Sequence, residues 1–152
     1  MEQKKKVLII EEELEIMRDL QEHLIEELGL EVEMTAEKGI LKRLSEVKFD
    51  LLLVDLMIQP TSYDQDDREV NNIQFEGINW RKTGLEFIRR LRNGDFSTSA
   101  GQGTSPNAPV IILSAVANDS VSDDDKKTIG VKDFVEKPFR LADVVEVIKK
   151  NI

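Results

Sequence analysis

Five polar residues able to do chemistry stand at the ends of short apolar runs. Glu11 and Glu12 follow Val7-Leu8-Ile9-Ile10, Asp55 follows Leu51 to Val54, and Ser114 follows Val110 to Leu113. Lys137 comes just after the weaker run Val131 to Val135 and precedes Pro138. Brought to one place, three carboxylates repel one another unless a cation sits among them. A hard divalent ion such as Mg²⁺ suits that task, because it takes oxygen ligands and keeps several waters. An aspartate beside Mg²⁺ and a lysine can attack a phosphoryl group and form an acyl phosphate. Such transfer asks mainly for positioning and charge neutralisation. Mg²⁺ and Lys137 would supply charge, and the Ser114 hydroxyl would hydrogen-bond a phosphoryl oxygen. Taken singly, each residue is ordinary: an aspartate ending a strand forms turns, and a serine there caps helices. The case rests on their joint occurrence in this order.

The flanking sequence supplies the elements that would position them. Short, continuous apolar runs suit strands buried on both faces of a parallel sheet. Glu31 to Thr35, with Val32 and Met34 on one face, and Val131 to Val135 complete a set of five strands. Between them lie stripes at helical spacing. Met17, Leu20, Leu24 and Leu28 end at Gly29; Ile40, Leu41, Leu44 and Val47 form a second stripe. Leu85, Ile88 and Leu91 end near Asn93-Gly94, and Leu141, Val144, Val145 and Ile148 form the last. Ser120 to Thr128 has a thin apolar face and is the weakest helix. Strand and helix thus alternate five times. This predicts a three-layer α/β fold, a doubly wound five-stranded parallel sheet with helices on both faces. Ligands of such sheets bind beyond the carboxyl ends of the strands, where all five polar residues fall. The 152 residues suffice for one domain spanning 1–152.

Composition excludes several functions. A formal charge of -9 argues against a nucleic-acid surface, which needs clustered Lys and Arg. There is no cysteine, hence no disulfide framework, thiol nucleophile or cysteine metal site. His23 is the only histidine and reads as an ordinary residue of the first helix. Lys4-Lys5-Lys6 before Val7–Ile10 is too short for a signal segment or membrane span, so a cytoplasmic protein without membrane contact is expected.

Five segments in order resemble the receiver domains of bacterial response regulators, over nearly the whole chain. They are Val-Leu-Ile-Ile-Glu-Glu-Glu at 7–13, Phe-Asp-Leu-Leu-Leu-Val-Asp-Leu-Met at 49–57, Thr-Gly-Leu-Glu-Phe-Ile-Arg-Arg-Leu-Arg at 83–92, Pro-Val-Ile-Ile-Leu-Ser-Ala at 109–115 and Gly-Val-Lys-Asp-Phe-Val-Glu-Lys-Pro-Phe at 130–139. The resemblance implies a flavodoxin-like sheet of strand order 2-1-3-4-5. It implies Asp55 as phosphoacceptor, and Glu11, Glu12, Asp55 and the Met57 backbone carbonyl as ligands of Mg²⁺. Ser114 and Lys137 would contact the phosphoryl group, Phe134 would be the switch aromatic, and Lys137-Pro138 a cis peptide. The implied partners are a histidine kinase or phosphotransfer protein and a downstream protein target, with a homodimer also compatible. A receiver of this kind is a switch and not an enzyme. A hydrolase working through an aspartyl phosphate would want a second acid two residues after the nucleophile, where Met57 stands.

The sequence departs from that family in three places. The family's acidic pair is two aspartates; here both are glutamates, each longer by about 1.5 Å. Either the loop retracts or Mg²⁺ binding weakens. The alternative function follows: a pseudo-receiver, an interaction module not phosphorylated because Glu11 and Glu12 replace that pair. Next, the 58–82 connection is roughly 20 residues longer than a βα loop requires. Its stretch Asp64, Asp66, Asp67, Glu69 reads as a solvated loop. Ile73, Phe75, Ile78 and Trp80 alternate about Glu76-Gly77, predicting a short hairpin there, whose apolar face lies back on the domain or docks a partner. Last, the Gly/Ser/Thr/Asn-rich stretch 94–109 predicts a mobile surface loop. It lacks the Gly-Lys-Ser/Thr ending of a phosphate-binding loop.

Overall fold

A computed structural model describes residues 4–98, 101–115 and 121–152. Side chains alternate across a strand, so an uninterrupted apolar strand can serve two cores at once. The central strands do this. β1 (Lys6–Ile10), β2 (Glu31–Thr35), β3 (Leu51–Val54), β6 (Val110–Ser114) and β7 (Asp133–Glu136) form one parallel sheet in the order β2-β1-β3-β6-β7. With the hairpin strands β4 and β5 set aside, this is the expected order. Leu8, Ile10, Leu52, Val54, Val110 and Ile112 face α2 (Ile40–Glu46), α3 (Thr83–Arg92) and Ile129 at the end of α4 (Asp123–Ile129). Val7, Ile9, Leu51, Leu53, Ile111 and Leu113 face α1 (Leu14–Leu28) and α5 (Leu141–Asn151). α1 ends where the sequence implies, with Gly29 in the left-handed conformation just past it, and Gly130 takes the same conformation just past α4. The weakest helix is also the shortest in apolar content. It starts at Asp123, capped by the Ser122 hydroxyl accepting from the Asp125 N–H. Ser120, where it was expected to begin, lies outside the described residues.

The hairpin of the long insertion lies elsewhere than expected. β4 (Thr61–Tyr63) pairs antiparallel with β5 (Glu69–Asn71). Its turn is the acidic stretch read as a solvated loop. An Asp64 carboxylate oxygen accepts the N–H groups of Asp66 and Arg68, at 2.9 Å each, and Asp67 takes a positive φ of 58°. Aspartate side chains make such local turns readily. Residues 72–80 form no ladder. They contain a turn, with the Ile78 N–H donating to the Phe75 carbonyl, and a 3-10 turn at Trp80–Lys82. Ile73 and Phe75 are buried in the core and Ile78 packs against it. Their alternation reflects burial of an irregular segment: Ile73, Phe75 and Ile78 lie back on the domain, while Trp80 is half-buried with Arg81 over its ring.

The Gly/Ser-rich connection is anchored at Thr104, and Ser99 and Ala100 lie outside the described residues. Thr104 is fully buried. Its hydroxyl donates to the Val47 carbonyl at 2.7 Å and accepts the Phe49 N–H at 3.2 Å, which fixes the entrance to β3. Thr104→Val keeps the shape and deletes both bonds. It is expected to cost about 2 kcal/mol of unfolding free energy, because two buried backbone groups lose their partner. Urea denaturation at equilibrium measures this, and a loss within about 0.5 kcal/mol would show that the loop is not anchored there.

Candidate functional site

The carboxyl ends of the strands carry the site, and backbone hydrogen bonds to neighbouring strands set its register. The Glu11 N–H donates to the Thr35 carbonyl, the Asp55 N–H to Ile10 and the Lys137 N–H to Ser114. The side chains that leave these positions therefore start from fixed points. Asp55 is 7% exposed and Glu11 1% exposed. The Lys137 ammonium contacts the Glu11 carboxylate and lies 3.1 Å from an Asp55 oxygen. The other Asp55 oxygen accepts the Met57 N–H at 3.0 Å, a turn that holds the carboxylate in one orientation. Ser114 is fully buried at the end of β6, one strand from Asp55. Phe134 lies half-buried on β7 opposite Ile112 and packs on the core. Lys137-Pro138 is cis.

Of the expected set, Glu11, Asp55 and Lys137 come together in direct contact, and Ser114 stands on the strand next to Asp55. Glu12 does not join them. Its carboxylate accepts the Gln59 N–H at 3.1 Å and lies 3.4 Å from the Asn72 amide nitrogen. It thus grips the root of the insertion. The physical reason is that buried Glu11 already takes up Lys137, while the insertion offers Glu12 donors of its own. Nothing in the sequence marks Asn72. It is 3% exposed and also donates to the Gln59 carbonyl at 2.9 Å. Nothing in the spacing of Asn71-Asn72 marks one of the two amides as a latch.

Charge at this edge is unbalanced, with two buried carboxylates against one ammonium. Burial first, then the Asp55 charge, push the Glu11 carboxyl above its ordinary range, and Lys137 restores it only in part. Burial works against the Lys137 ammonium, but Glu11 and Asp55 outweigh it and raise its pKa. Burial also raises Glu12, against its bond from Gln59. The residual negative charge and the carboxylate oxygens of Glu11 and Asp55 fit a cation that binds by one or two carboxylates and keeps its waters, as Mg²⁺ does. No three acidic or imidazole groups converge as a metal set among the described residues, in keeping with Glu12 being turned away.

The Glu11 shift makes stability depend on pH. A carboxyl with a raised folded-state pKa keeps a proton that the unfolded chain has already lost. Its contribution is present below the unfolded value of 4.5 and is lost as pH rises through the folded value. In cation-free buffer, Glu11→Gln removes this loss. The unfolding free energy of the variant relative to wild type is therefore expected to increase as pH is raised from about 4 to about 7. Urea titrations across that range test it, and a pH-independent difference would show that Glu11 titrates as an ordinary carboxyl.

No protein-family model matches the sequence, and no curated protein is similar to it at the sequence level. Many solved structures share its fold. A response regulator from Thermotoga maritima is 25% identical with a TM-score of 0.66, covering 99% of this chain and 98% of that one. A CheY-like response regulator receiver domain protein from Methanospirillum hungatei JF-1 is 19% identical with a TM-score of 0.65, covering 97% and 93%. A response regulator protein from Burkholderia pseudomallei, whose structure has a phosphorylated aspartic acid, a calcium ion and citrate, is 20% identical with a TM-score of 0.62 and covers 97% of this chain and 68% of that one. The chain therefore has the receiver-domain fold over nearly its whole length. Among the described residues, no helix is long and apolar enough to cross a membrane.

Proposed function

We propose that this receiver-fold chain is a phosphoacceptor of a two-component phosphorelay, taking a phosphoryl group on Asp55 from a histidine kinase or phosphotransfer protein. The observation that carries the reading is the oriented Asp55 carboxylate at the end of the central strand, 3.1 Å from the Lys137 ammonium, with buried Ser114 on the adjacent strand. An Asp55 oxygen forms a bond to phosphorus, the phosphorus–nitrogen bond to the donor imidazole, protonated on its other ring nitrogen, breaks, and the imidazole keeps the electron pair. The product is an acyl phosphate and a neutral imidazole. Lys137 balances the charge gathering on the phosphoryl oxygens, and the Met57 N–H holds the attacking carboxylate in place. Glu11, Asp55 and the Met57 carbonyl would hold Mg²⁺, which supplies additional charge neutralisation when bound. The Burkholderia structure, with its phosphorylated aspartic acid and calcium ion, supports this chemistry on the shared fold. The new negative charge then recruits the Ser114 hydroxyl and Phe134, biasing the surface of α4, β7 and α5 toward a protein target.

The test is intact mass after incubation with Mg²⁺ and a small-molecule phosphodonor. One phosphoryl group is expected on wild type and none on Asp55→Asn. One observation favours the pseudo-receiver reading instead: Glu11 already contacts Lys137, and Glu12 is bound to the insertion. An unmodified wild-type chain, with small donor or with a phosphorylated histidine phosphotransfer protein, would decide for that reading.

A further inference from the structure

The insertion does more than lengthen a loop. With the β1–α1 and β2–α2 connections it encloses a cleft of about 720 Å³ beside the strand ends. We propose that this cleft is a docking groove for a Lys/Arg-bearing segment of a partner protein. It is a property of the insertion and does not depend on Asp55 accepting a phosphoryl group.

The lining has two parts. Leu14, Met34, Ala36 and Val70 give it apolar surface, and Tyr63 forms part of the wall from β4 with 70% of its surface exposed. Around these stand seven carboxylates, of which Glu11 is buried against Lys137 and Glu12 is held by the insertion, and a single arginine, Arg18, which is already paired with Glu15 at 3.3 Å. Glu13, Glu37 and Asp66 form no ion pair with any described residue. The hairpin is held in position over the cleft. The Lys38 N–H donates to the Asn71 carbonyl, the Ile73 N–H donates to Ala36, and Glu12 binds Gln59 and Asn72. The groove is thus built before anything enters it.

An apolar floor with an acidic rim selects its occupant by chemistry. A divalent cation matches the charge, but the apolar floor offers it nothing. Nucleic acid carries the wrong charge. A second copy of this chain, at net -9, meets like charge. Lysine and arginine side chains fit both parts, because an aliphatic stem lies on apolar surface while the charged head reaches the rim. An exposed tyrosine face adds a stacking site for a guanidinium. The size is that of a groove holding a few side chains.

The experiment is a titration of the isotope-labelled 152-residue chain with a synthetic peptide of alternating arginine and leucine, followed by amide chemical shifts. The expected footprint is Leu14, Glu37, Tyr63 and Val70. The double variant Glu37→Lys/Asp66→Lys is expected to weaken binding about tenfold. The control Glu26→Lys/Glu27→Lys makes the same change in net charge at the far end of α1 and is expected to weaken it about twofold or less. Tyr63→Ser is expected to weaken it about threefold. Equal weakening by both double variants would reduce the effect to net charge and overturn the proposal. So would a footprint elsewhere, absence of saturable binding, or spermine binding the same footprint as tightly as the peptide.

Discussion

Gly84→Ala is expected to lower the unfolding free energy by about 3 kcal/mol, at the upper end of what overpacking costs. A Cβ at this position would stand 2.1 Å from the Asp55 carbonyl oxygen, 2.7 Å from the Leu56 Cα and 2.9 Å from the Asp55 carbonyl carbon. All three are backbone atoms, so no rotamer change relieves the clash. The segment they belong to is also fixed from the other side. The Asp55 N–H is bonded to Ile10 in β1, and the Gly84 N–H donates to the Leu56 carbonyl at 2.9 Å. Alanine must therefore push the start of α3 off β3, which opens the packing of Leu85 and Ile88 and moves the backbone that carries Asp55. Gly39 is the control. It has φ -59° and nothing within 4 Å of its Cβ position, so Gly39→Ala is expected to be neutral or to stabilise by up to about 1 kcal/mol. Urea unfolding of the two variants checks both. A Gly84→Ala variant as stable as Gly39→Ala would mean that α3 is free to slide on the sheet.

That contact shows what a sequence can and cannot disclose here. Leu85, Ile88 and Leu91 are legible as a helical stripe, and Leu51 to Val54 as a buried strand, because periodicity depends on local order alone. The convergence of Glu11, Asp55, Ser114 and Lys137 was legible for a related reason: parallel strands place their ends on one edge. Partners are another matter. Glu11 and Glu12 are neighbours of the same type, yet one contacts Lys137 and the other holds Gln59 and Asn72. Only the path of the insertion decides between them. The insertion itself was misread at its hairpin for a physical reason. The alternation of Ile73, Phe75 and Ile78 is the pattern of a strand with one buried face, but the same burial is met by a segment whose Ile73 N–H bonds singly to Ala36. The true turn uses aspartates, with Asp67 at positive φ, and carries no glycine to announce it. β7 was displaced too. Its pairing begins at Asp133, opposite Ile111, where the apolar run suggests Val131, which packs on the core ahead of the strand.

Arg92 is the least legible of the residues that hold the molecule together, and Arg92→Met is expected to cost about 3 kcal/mol. In the sequence it is one of three arginines at the end of α3 and looks like a solvated helix face. In the structure its guanidinium donates to four carbonyls: Ile129 at 2.6 Å, Pro106 at 2.9 Å, Ala108 at 2.6 Å and Gly130 at 3.2 Å. Burial lowers its pKa, yet arginine remains charged. Ile129 and Gly130 close α4, so the cation sits at that helix's negative end. Pro106 and Ala108 lead into β6. One side chain thus joins α3, α4 and the strand carrying Ser114. Methionine matches the stem but leaves four carbonyls to find other donors. Lysine keeps the charge on a single nitrogen and cannot reproduce the planar fork, so Arg92→Lys is expected to recover no more than about half of the loss. Equilibrium unfolding gives the magnitudes. Amide exchange locates the effect, with faster exchange expected at Gly130, whose N–H closes the helix onto Lys126, and at Lys132, whose N–H bonds to Val110. Exchange unchanged at both, with global stability lost, would mean that Arg92 supports the core and not the seat of α4. The distinction bears on function. In the proposed switch, α4 and β7 form the surface that changes, and Arg92, together with the Arg89–Asp125 ion pair, ties α4 to α3 and sets how easily that surface moves.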